Sequence, residues 1–194
     1  MPGDADHSTL RSIVLASPVL GAILRDWPVI GLPDGWLVAG AVAQTVWNSA
    51  FGFPADHGIK DADIIYFDRS DLTDAAEERH AERIRRHFVH LPVAIDVKNE
   101  ARVHLWYEVK FGKPIAPYRS AAHAISTFPT TVTSIGIRPT SSDLAIEAPH
   151  GLADLFALVV RPNRILITRE VYEAKIGRWR LLWPDLRIFP WETA

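Results

Sequence analysis

The segment 59–67, IKDADIIYF, constrains the fold more than any other part of the sequence, because it joins an apolar strand to two acidic residues. β-Branched and aromatic residues fill its second half, as they do in strands. Side chains alternate between the two faces of a strand, so Asp61 and Asp63 share a face and repel each other. A divalent cation relieves such repulsion, and carboxylate oxygens suit Mg²⁺. The alternative is that both aspartates lie in a solvated loop before the strand begins.

The segment 93–97, VAIDV, predicts a second strand that carries a third carboxylate. A predicted helix at 72–90 connects the two strands. This strand-helix-strand order predicts that the strands lie close together in one sheet. Asp96 would then join Asp61 and Asp63 in a single metal site. The alternative is a lone acid at a strand end, held by an arginine such as Arg102.

A strand, a glycine and a helix start precede the acidic strand. The segment 36–39 predicts a short buried strand, and 41–48 predicts a helix. Backbone amides at Gly40 and Ala41, at the start of this helix, favour an anion such as a phosphate. Gln44 and Asn48 are polar side chains that could contact the same ligand. The alternatives are a tight turn without a ligand and polar side chains that face solvent.

Arg102 lies in segment 101–107, which predicts either a strand or a short helix. It could act as a phosphate clamp, and His104 could carry a proton. Both could equally be structural polar groups, because one histidine without a visible partner is more often non-catalytic.

Composition places the chain among ordinary globular proteins. The 194 residues are 48% hydrophobic and 23% charged, enough for one domain or one domain with a small appendage. The net charge of −2 gives no strong signal for nucleic-acid binding. The absence of cysteine excludes disulfides, zinc-thiolate sites and thiol catalysis. No apolar run reaches the ~18 residues of a membrane span, and the start of the chain is acidic, so a cytoplasmic protein is predicted.

The remaining segments predict helices and one hairpin. A helix from Ser8 or Thr9 to Trp27 would be interrupted at Pro18. Segments 130–138 and 144–148 predict a hairpin, whose row of hydroxyls could line a base or sugar pocket or form an ordinary strand face. Segments 120–126 and 171–183 predict helices. Trp179 and Trp183, beside two arginines, are either a docking surface or core residues.

Four segments together resemble a bacterial nucleotidyltransferase-like family within the polymerase-β-like nucleotidyltransferase superfamily. The resemblance extends over roughly 36–191, and its most specific parts are a Trp-Asn pair and an Arg-Val-His run. Gly40-Ala41 stands where the superfamily has Gly-Gly or Gly-Ser. The four segments are AGAVAQTVWN at 39–48, KDADI at 60–64, DVKNEARVHLWY at 96–107 and APHGLADLF at 148–156.

The resemblance implies an α+β fold, with a mixed-sheet nucleotidyltransferase core flanked by helices and a smaller C-terminal helical segment. We expect the core and an N-terminal helix in 1–150 and an extension packed on that core in 151–194. The implied activity moves a nucleoside monophosphate from a nucleoside triphosphate to an unknown acceptor: a small molecule, a protein or RNA. Asp61, Asp63 and Asp96 would be both the catalytic residues and the ligands of two Mg²⁺ ions. The alternative is a catalytically silent module on the same fold that binds a nucleotide or another protein.

Overall fold

A five-stranded sheet forms the centre of the fold in the computed structural model, which describes residues 2–192. Its strand order is β3-β2-β1-β4-β5, and only the β2–β3 pair is parallel. The predicted α+β fold with a mixed sheet is therefore confirmed. The strands are β1 (Trp36–Val38), β2 (Asp61–Tyr66), β3 (Ala94–Asn99), β4 (Gly136–Pro139) and β5 (Leu144–Glu147).

Helices surround this sheet, and a short parallel pair of strands, β6 (Val159–Val160) and β7 (Arg187–Ile188), lies outside it. A single turn of 3-10 helix at Glu100–Arg102 leads from β3 into α6, so segment 101–107 is helical. The helices are α1 (Pro2–Ala16), α2 (Pro18–Arg25), α3 (Trp27–Ile30), α4 (Gly40–Phe51), α5 (Asp74–His87), α6 (Val103–Phe111), α7 (Ala121–Ile125), α8 (Ala153–Phe156) and α9 (Arg169–Leu182).

Helix α5 makes the crossover that renders β2 and β3 parallel. The Thr73 hydroxyl caps its start by accepting a hydrogen bond from the Ala76 amide, and basic residues fill its last turn, where they complement the helix dipole. Its apolar residues belong to the same buried cluster as Ala62 and Ile64 of β2. Alternate residues of β2 and β3 therefore face this core, and the aspartates lie on the opposite face of the sheet.

The N-terminal helical segment is broken at Ser17, one residue before the proline that predicted an interruption. The Ser17 hydroxyl accepts a hydrogen bond from the Leu20 amide and starts α2 with Pro18 in its first turn. No single helix in 2–192 is long and apolar enough to cross a membrane. Helices α1 and α2 meet that length and composition only as a pair, bent by 94° at the break.

Three tryptophans pack edge to face where the C-terminal end of α9 meets α4. The rings of Trp179 and Trp183 lie edge-on to Trp47, at centroid distances of 5.1 and 5.3 Å. All three are 0% exposed, so the hypothesis of a docking surface built on Trp179 and Trp183 is wrong. Buried side chains on both sides of residue 150 belong to one hydrophobic cluster. The division into 1–150 and 151–194 remains a prediction.

The hairpin of β4 and β5 is confirmed, but most of the hydroxyl row before it is not part of a strand. Residues 131–134 form turns, and Thr130 makes only an isolated bridge to Pro162. Thr130 and Thr133 share a 2.7 Å hydrogen bond between their hydroxyls and are completely buried. These hydroxyls stabilise the turn by bonding one another and the backbone, as threonine and serine often do outside regular structure. They do not form an open polar strand face.

Candidate active site

Asp63 of β2 and Asp96 of β3 are direct partners in the parallel register. Partner residues on adjacent strands project from the same face, so the two carboxylates are neighbours. Both line one cavity of about 220 Å³ beside the end of β1. The prediction that the two acidic strands are adjacent is therefore confirmed. The cavity is also lined by Val38, Ala39, Ile64, Ile65, Lys98, Glu100, Phe128, Pro129 and Lys175.

Asp61 begins β2 on the same face but is exposed and does not line this cavity. Its charge still reaches Asp63 and contributes to raising the pKa of that carboxyl group. Within residues 2–192, no three acidic, histidine or cysteine side chains stand close enough together to form a ready metal site. Asp61 is thus an electrostatic neighbour of the Asp63–Asp96 pair, at the outer edge of the cavity.

Burial, reinforced by the charges of Asp61 and Asp96, raises the pKa of Asp63 from 3.8 to about 6. Two cations oppose this effect, Lys175 more strongly than Lys98. Burial and the neighbouring acids therefore disfavour the ionised Asp63 carboxylate more than the two lysines favour it. A ligand that brings a cation would favour its ionised form.

The turn between β1 and α4 forms the wall beside the aspartates. Ala39, at φ 60° and ψ −129°, has a backbone conformation that a residue with a side chain rarely adopts. It lines the cavity together with Val38, whereas the predicted contacts Gly40 and Ala41 are buried and do not line it. The junction lies beside the acidic cavity, as expected, but the residue in the glycine-like conformation is Ala39.

Two lysines bring positive charge to the cavity, and neither was predicted from the sequence. The Lys98 ammonium lies 3.4 Å from the Asp96 carboxylate. Lys175 reaches the cavity from α9 and makes no ion pair within 4 Å among the described residues. Burial lowers the pKa of Lys175, while Asp63 and Asp61 oppose this shift. Its ammonium group is close enough to the aspartates to interact with them, yet remains available to an anion.

Glu100 is a further acid that the sequence analysis missed. It lines the cavity directly after β3, and burial raises its pKa from 4.5 to about 8, with Glu77 and Asp63 adding to the shift. A signal for two of the missed residues was present in the sequence. Asp96, Lys98 and Glu100 recur at every second position, which places three charged side chains along one face of the strand and its extension.

Gln44 lies beside the start of α4. A Cβ atom added at Gly40 would stand 3.2 Å from the Gln44 side-chain nitrogen. The Gln44 Oε1 atom is buried and accepts no hydrogen bond from any described residue. An unpaired buried oxygen is costly, so this amide is a candidate contact for a ligand.

The other two predicted contacts are used within the protein. The Asn48 amide donates to the carbonyls of Ala55 and His57 and accepts from the Trp183 indole at 2.8 Å. The buried Arg102 guanidinium donates to the Leu72 carbonyl and pairs with Asp74 and Glu77. It does not pair with Asp96, whose ion-pair partner is Lys98. Neither Asn48 nor Arg102 lines the cavity.

The donor set at this cavity suits a divalent metal ion in its chemistry. Its acids offer oxygen ligands only, which is the preference of Mg²⁺. Burial first, and then the charges of Asp61 and Asp96, raise the pKa of Asp63, and a bound cation would oppose this shift. These acids do not form a closed ligand set, however, because Asp61 lies at the outer edge of the cavity and the Lys98 ammonium already pairs with Asp96.

Comparison with known proteins gives a family and a similar fold. A family model described as nucleotidyltransferase matches residues 26–188. Among solved structures, an NMR structure described as revealing a CCA-adding enzyme head domain has a similar fold, with a TM-score of 0.77. It is 25% identical in sequence, and the match covers 94% of this chain and 95% of that one. A search of curated proteins found no match.

Proposed function

Because the chain belongs to the nucleotidyltransferase family, we propose that it transfers a nucleoside monophosphate from a nucleoside triphosphate to an acceptor hydroxyl, with Mg²⁺ as cofactor. The observation that carries this proposal is the direct pairing of Asp63 with Asp96 across parallel strands in one cavity. A fold gains no stability from two neighbouring carboxylates, so a ligand that uses them is the physical reason for the arrangement.

Asp61, Asp63 and Asp96 would hold two Mg²⁺ ions. The support is the all-oxygen donor set, the shared face of the sheet, and the burial and neighbouring carboxylates that together raise the pKa of Asp63. When bound, Mg²⁺ neutralises charge on the triphosphate and lowers the pKa of the acceptor hydroxyl.

The start of α4 would bind phosphate oxygens. The first amides of a helix have no partner within it, and the helix dipole favours an anion there. Gly40 and Ala41 provide these amides, next to the cavity wall formed by Ala39. The unpaired Gln44 Oε1 would accept a hydrogen bond from a hydroxyl or amino group of the nucleotide.

The two lysines would have separate roles, one towards the phosphates and one towards Asp96. Lys175 has no ion-pair partner within 4 Å in 2–192, so its ammonium group can contact a phosphate without giving up a salt bridge. Lys98 would hold the Asp96 carboxylate in place through their existing ion pair. Asn48 and Arg102 have no role here, because their polar atoms are hydrogen-bonded inside the protein.

The reaction exchanges one bond to phosphorus for another. The acceptor oxygen forms a bond to the α-phosphorus while the bond from that phosphorus to the bridging oxygen breaks, which releases pyrophosphate. The hydroxyl proton passes to the Asp96 carboxylate, which acts as the base. The cavity residues position the reactants and balance their charge, since phosphoryl chemistry requires little covalent participation by the protein.

Pyrophosphate release tests the proposal. Each of the four ribonucleoside triphosphates is incubated with small-molecule, protein and RNA acceptors, with Mg²⁺ or with a chelator. We expect release only with Mg²⁺, and we expect Asp63→Asn to reduce turnover by several orders of magnitude. Asp56→Asn removes a carboxylate from an exposed turn and serves as the matched control.

Binding measurements separate catalysis from the alternative function. If triphosphate binds equally well with chelator and the Asp63→Asn change has no effect on binding, the catalytic proposal is wrong. The chain would then be a nucleotide-binding module without turnover.

A further inference from the structure

A second cavity, of about 250 Å³, is lined by basic and neutral polar side chains. No aspartate or glutamate among the described residues lines it, in contrast to the acidic cavity. We call it the basic pocket, and its polar and aromatic residues are Thr131, His150, Arg161, Asn163, Arg164 and Phe189.

Arg161 is held in position from one side. Its Nε atom donates to both carboxylate oxygens of Asp154, at 3.3 and 3.1 Å, and its guanidinium stacks over the Phe189 ring at 4.0 Å. Its two Nη groups donate no hydrogen bond to any residue in 2–192. A guanidinium fixed in this way loses little freedom when it binds a second oxyanion, and its planar edge matches phosphate geometry.

The other pocket residues are also anchored. Asn163 is buried, with its amide nitrogen 2.8 Å from the Ser126 carbonyl and 3.4 Å from His150 Nε2. Arg164 donates to the Trp191 carbonyl and lies over that ring at 5.5 Å. These contacts hold the surrounding side chains in place, so the pocket presents the Arg161 Nη groups in a preorganised setting that suits an anion.

The basic pocket and the acidic cavity share a wall. Pro129 lines the acidic cavity and Thr131 lines the basic pocket, so the Cα atoms of these two lining residues are at most about 7 Å apart. The backbone amide of Asn163 donates to the Pro129 carbonyl at 3.0 Å, and the backbone amide of Thr131 donates to the Arg161 carbonyl at 3.1 Å. These bonds fix the two linings relative to each other.

We propose that the basic pocket binds a phosphate group of the acceptor substrate and so directs the acceptor hydroxyl towards Asp96. The hydroxyl and phosphate of one sugar phosphate are separated by a few bonds, a span of the same order as the spacing between the lining residues Pro129 and Thr131. At about 250 Å³, the pocket has room for one phosphate with part of a sugar. The assignment of this phosphate to the acceptor rests on the proposed function, whereas phosphate binding itself does not.

Direct binding tests the proposal without turnover. Fluorescently labelled probes, a nucleoside monophosphate and a short single-stranded oligoribonucleotide, are titrated with the full chain in chelator and without triphosphate. We expect Arg161→Met to weaken binding on the order of tenfold or more, because one charge-assisted contact is lost. Arg86→Met, which removes an exposed charge on α5, should bind as the unchanged protein does.

The two probes distinguish the source of the phosphate. Binding of both with similar affinity indicates a small phosphorylated acceptor, and binding of the oligoribonucleotide alone, with strong salt dependence, indicates the phosphodiester of an RNA strand. Either result supports the pocket. Absence of binding to both probes, or equal weakening by Arg161→Met and Arg86→Met, overturns it.

Two further variants keep these results interpretable. If Arg161→Met does not fold because Asp154 loses its ion-pair partner and keeps only the Thr131 hydroxyl, His150→Ala changes an exposed side chain of the same pocket and should weaken probe binding at least threefold. Asp63→Asn should leave probe binding unchanged in chelator. Loss of binding in Asp63→Asn would assign the phosphate to the acidic cavity, and normal binding without any transfer activity would retain the pocket and reject the proposed function.

Discussion

Asp63 and Asp96 are aligned residue for residue across the parallel β2–β3 pair, on the face of the sheet opposite α5. Their alignment concentrates negative charge where burial already disfavours it. The same environment that would bind a cation therefore destabilises the chain when no cation is bound.

The free energy of unfolding should fall as the pH rises from about 4 to about 6, because of Asp63. Its pKa is 3.8 in the unfolded chain and about 6 in the folded one, so the folded state binds the extra proton in this interval. The stabilisation is complete below 3.8 and is lost as the pH rises through about 6. Asp63→Asn should therefore raise the free energy of unfolding at pH 7.5 in chelator by about 1–3 kcal/mol. Denaturant titrations at pH 4 and 7.5 measure this, and a gain that is equal at both pH values would contradict it.

Ionisation of Glu100 should also lower stability as the pH rises, but over a higher pH interval. Its pKa rises from 4.5 to about 8, so stability should decline as the pH increases from about 4.5 to 8. The charged groups that face it are Glu77, Asp63 and Lys98. Glu100→Gln should be nearly neutral at pH 5 and stabilising on the order of 3 kcal/mol at pH 9. Glu82→Gln, on the exposed side of α5, is the control for losing one charge, and it should show no such pH dependence.

Lys175 should affect both the aspartates and the nucleotide. Its charge lowers the pKa of Asp63, so Lys175→Met should raise that pKa further, as an NMR titration of the carboxyl carbon would detect. Triphosphate affinity should fall about tenfold, because a charge-assisted contact is lost. Arg180→Met, an exposed residue of the same helix, should change neither quantity. An unchanged Asp63 titration in Lys175→Met would show that the two groups do not interact.

Ala39 should be a site where glycine stabilises. A side chain at φ 60° and ψ −129° costs ~1–3 kcal/mol, which exceeds the ~0.5–1 kcal/mol entropic cost of glycine in the unfolded chain. Ala39→Gly should raise stability by about 1 kcal/mol, measured by thermal or denaturant unfolding. Ala43→Gly makes the same change within α4, where the backbone is helical, and should destabilise by at least about 1 kcal/mol. Matching signs for the two variants would refute this explanation.

Asn48 should prove structural. Asn48→Ala removes three hydrogen bonds and leaves the buried Trp183 indole without its acceptor, so we expect a loss of about 2–4 kcal/mol. The neighbouring exposed Ser49→Ala should be nearly neutral. Triphosphate affinity per folded molecule should be unchanged in both variants, and a selective loss of affinity in Asn48→Ala would return this residue to the binding site.

The acidic pair followed from the sequence because local rules determine it. Alternation along a strand gave the shared face of Asp61 and Asp63, and the strand-helix-strand order gave the neighbouring strand of Asp96. Lys175 could not be predicted in this way, since only the packing of α9 brings it to the cavity.

The hydroxyl-rich segment before β4 was wrongly predicted to be a strand, for a different reason. Its alternation fits a strand face, but the hydroxyls of Thr130 and Thr133 bond to each other within a turn. Asn48 was similarly ambiguous, because a buried amide can serve a ligand or a distant tryptophan, and the sequence does not identify which partner is near.

The hydrogen bond between Asn48 and Trp183 joins residues 135 positions apart, and this separation governs how the chain matures as it is synthesised. At ~5–20 residues per second, translation leaves on the order of 10 seconds between the appearance of Asn48 and that of Trp183. During that interval Trp47 has neither of the rings that later cover it. Trp47 therefore cannot reach its final packing until α9 and the residue after it have been synthesised, so the burial of this tryptophan is among the late events of folding on the ribosome.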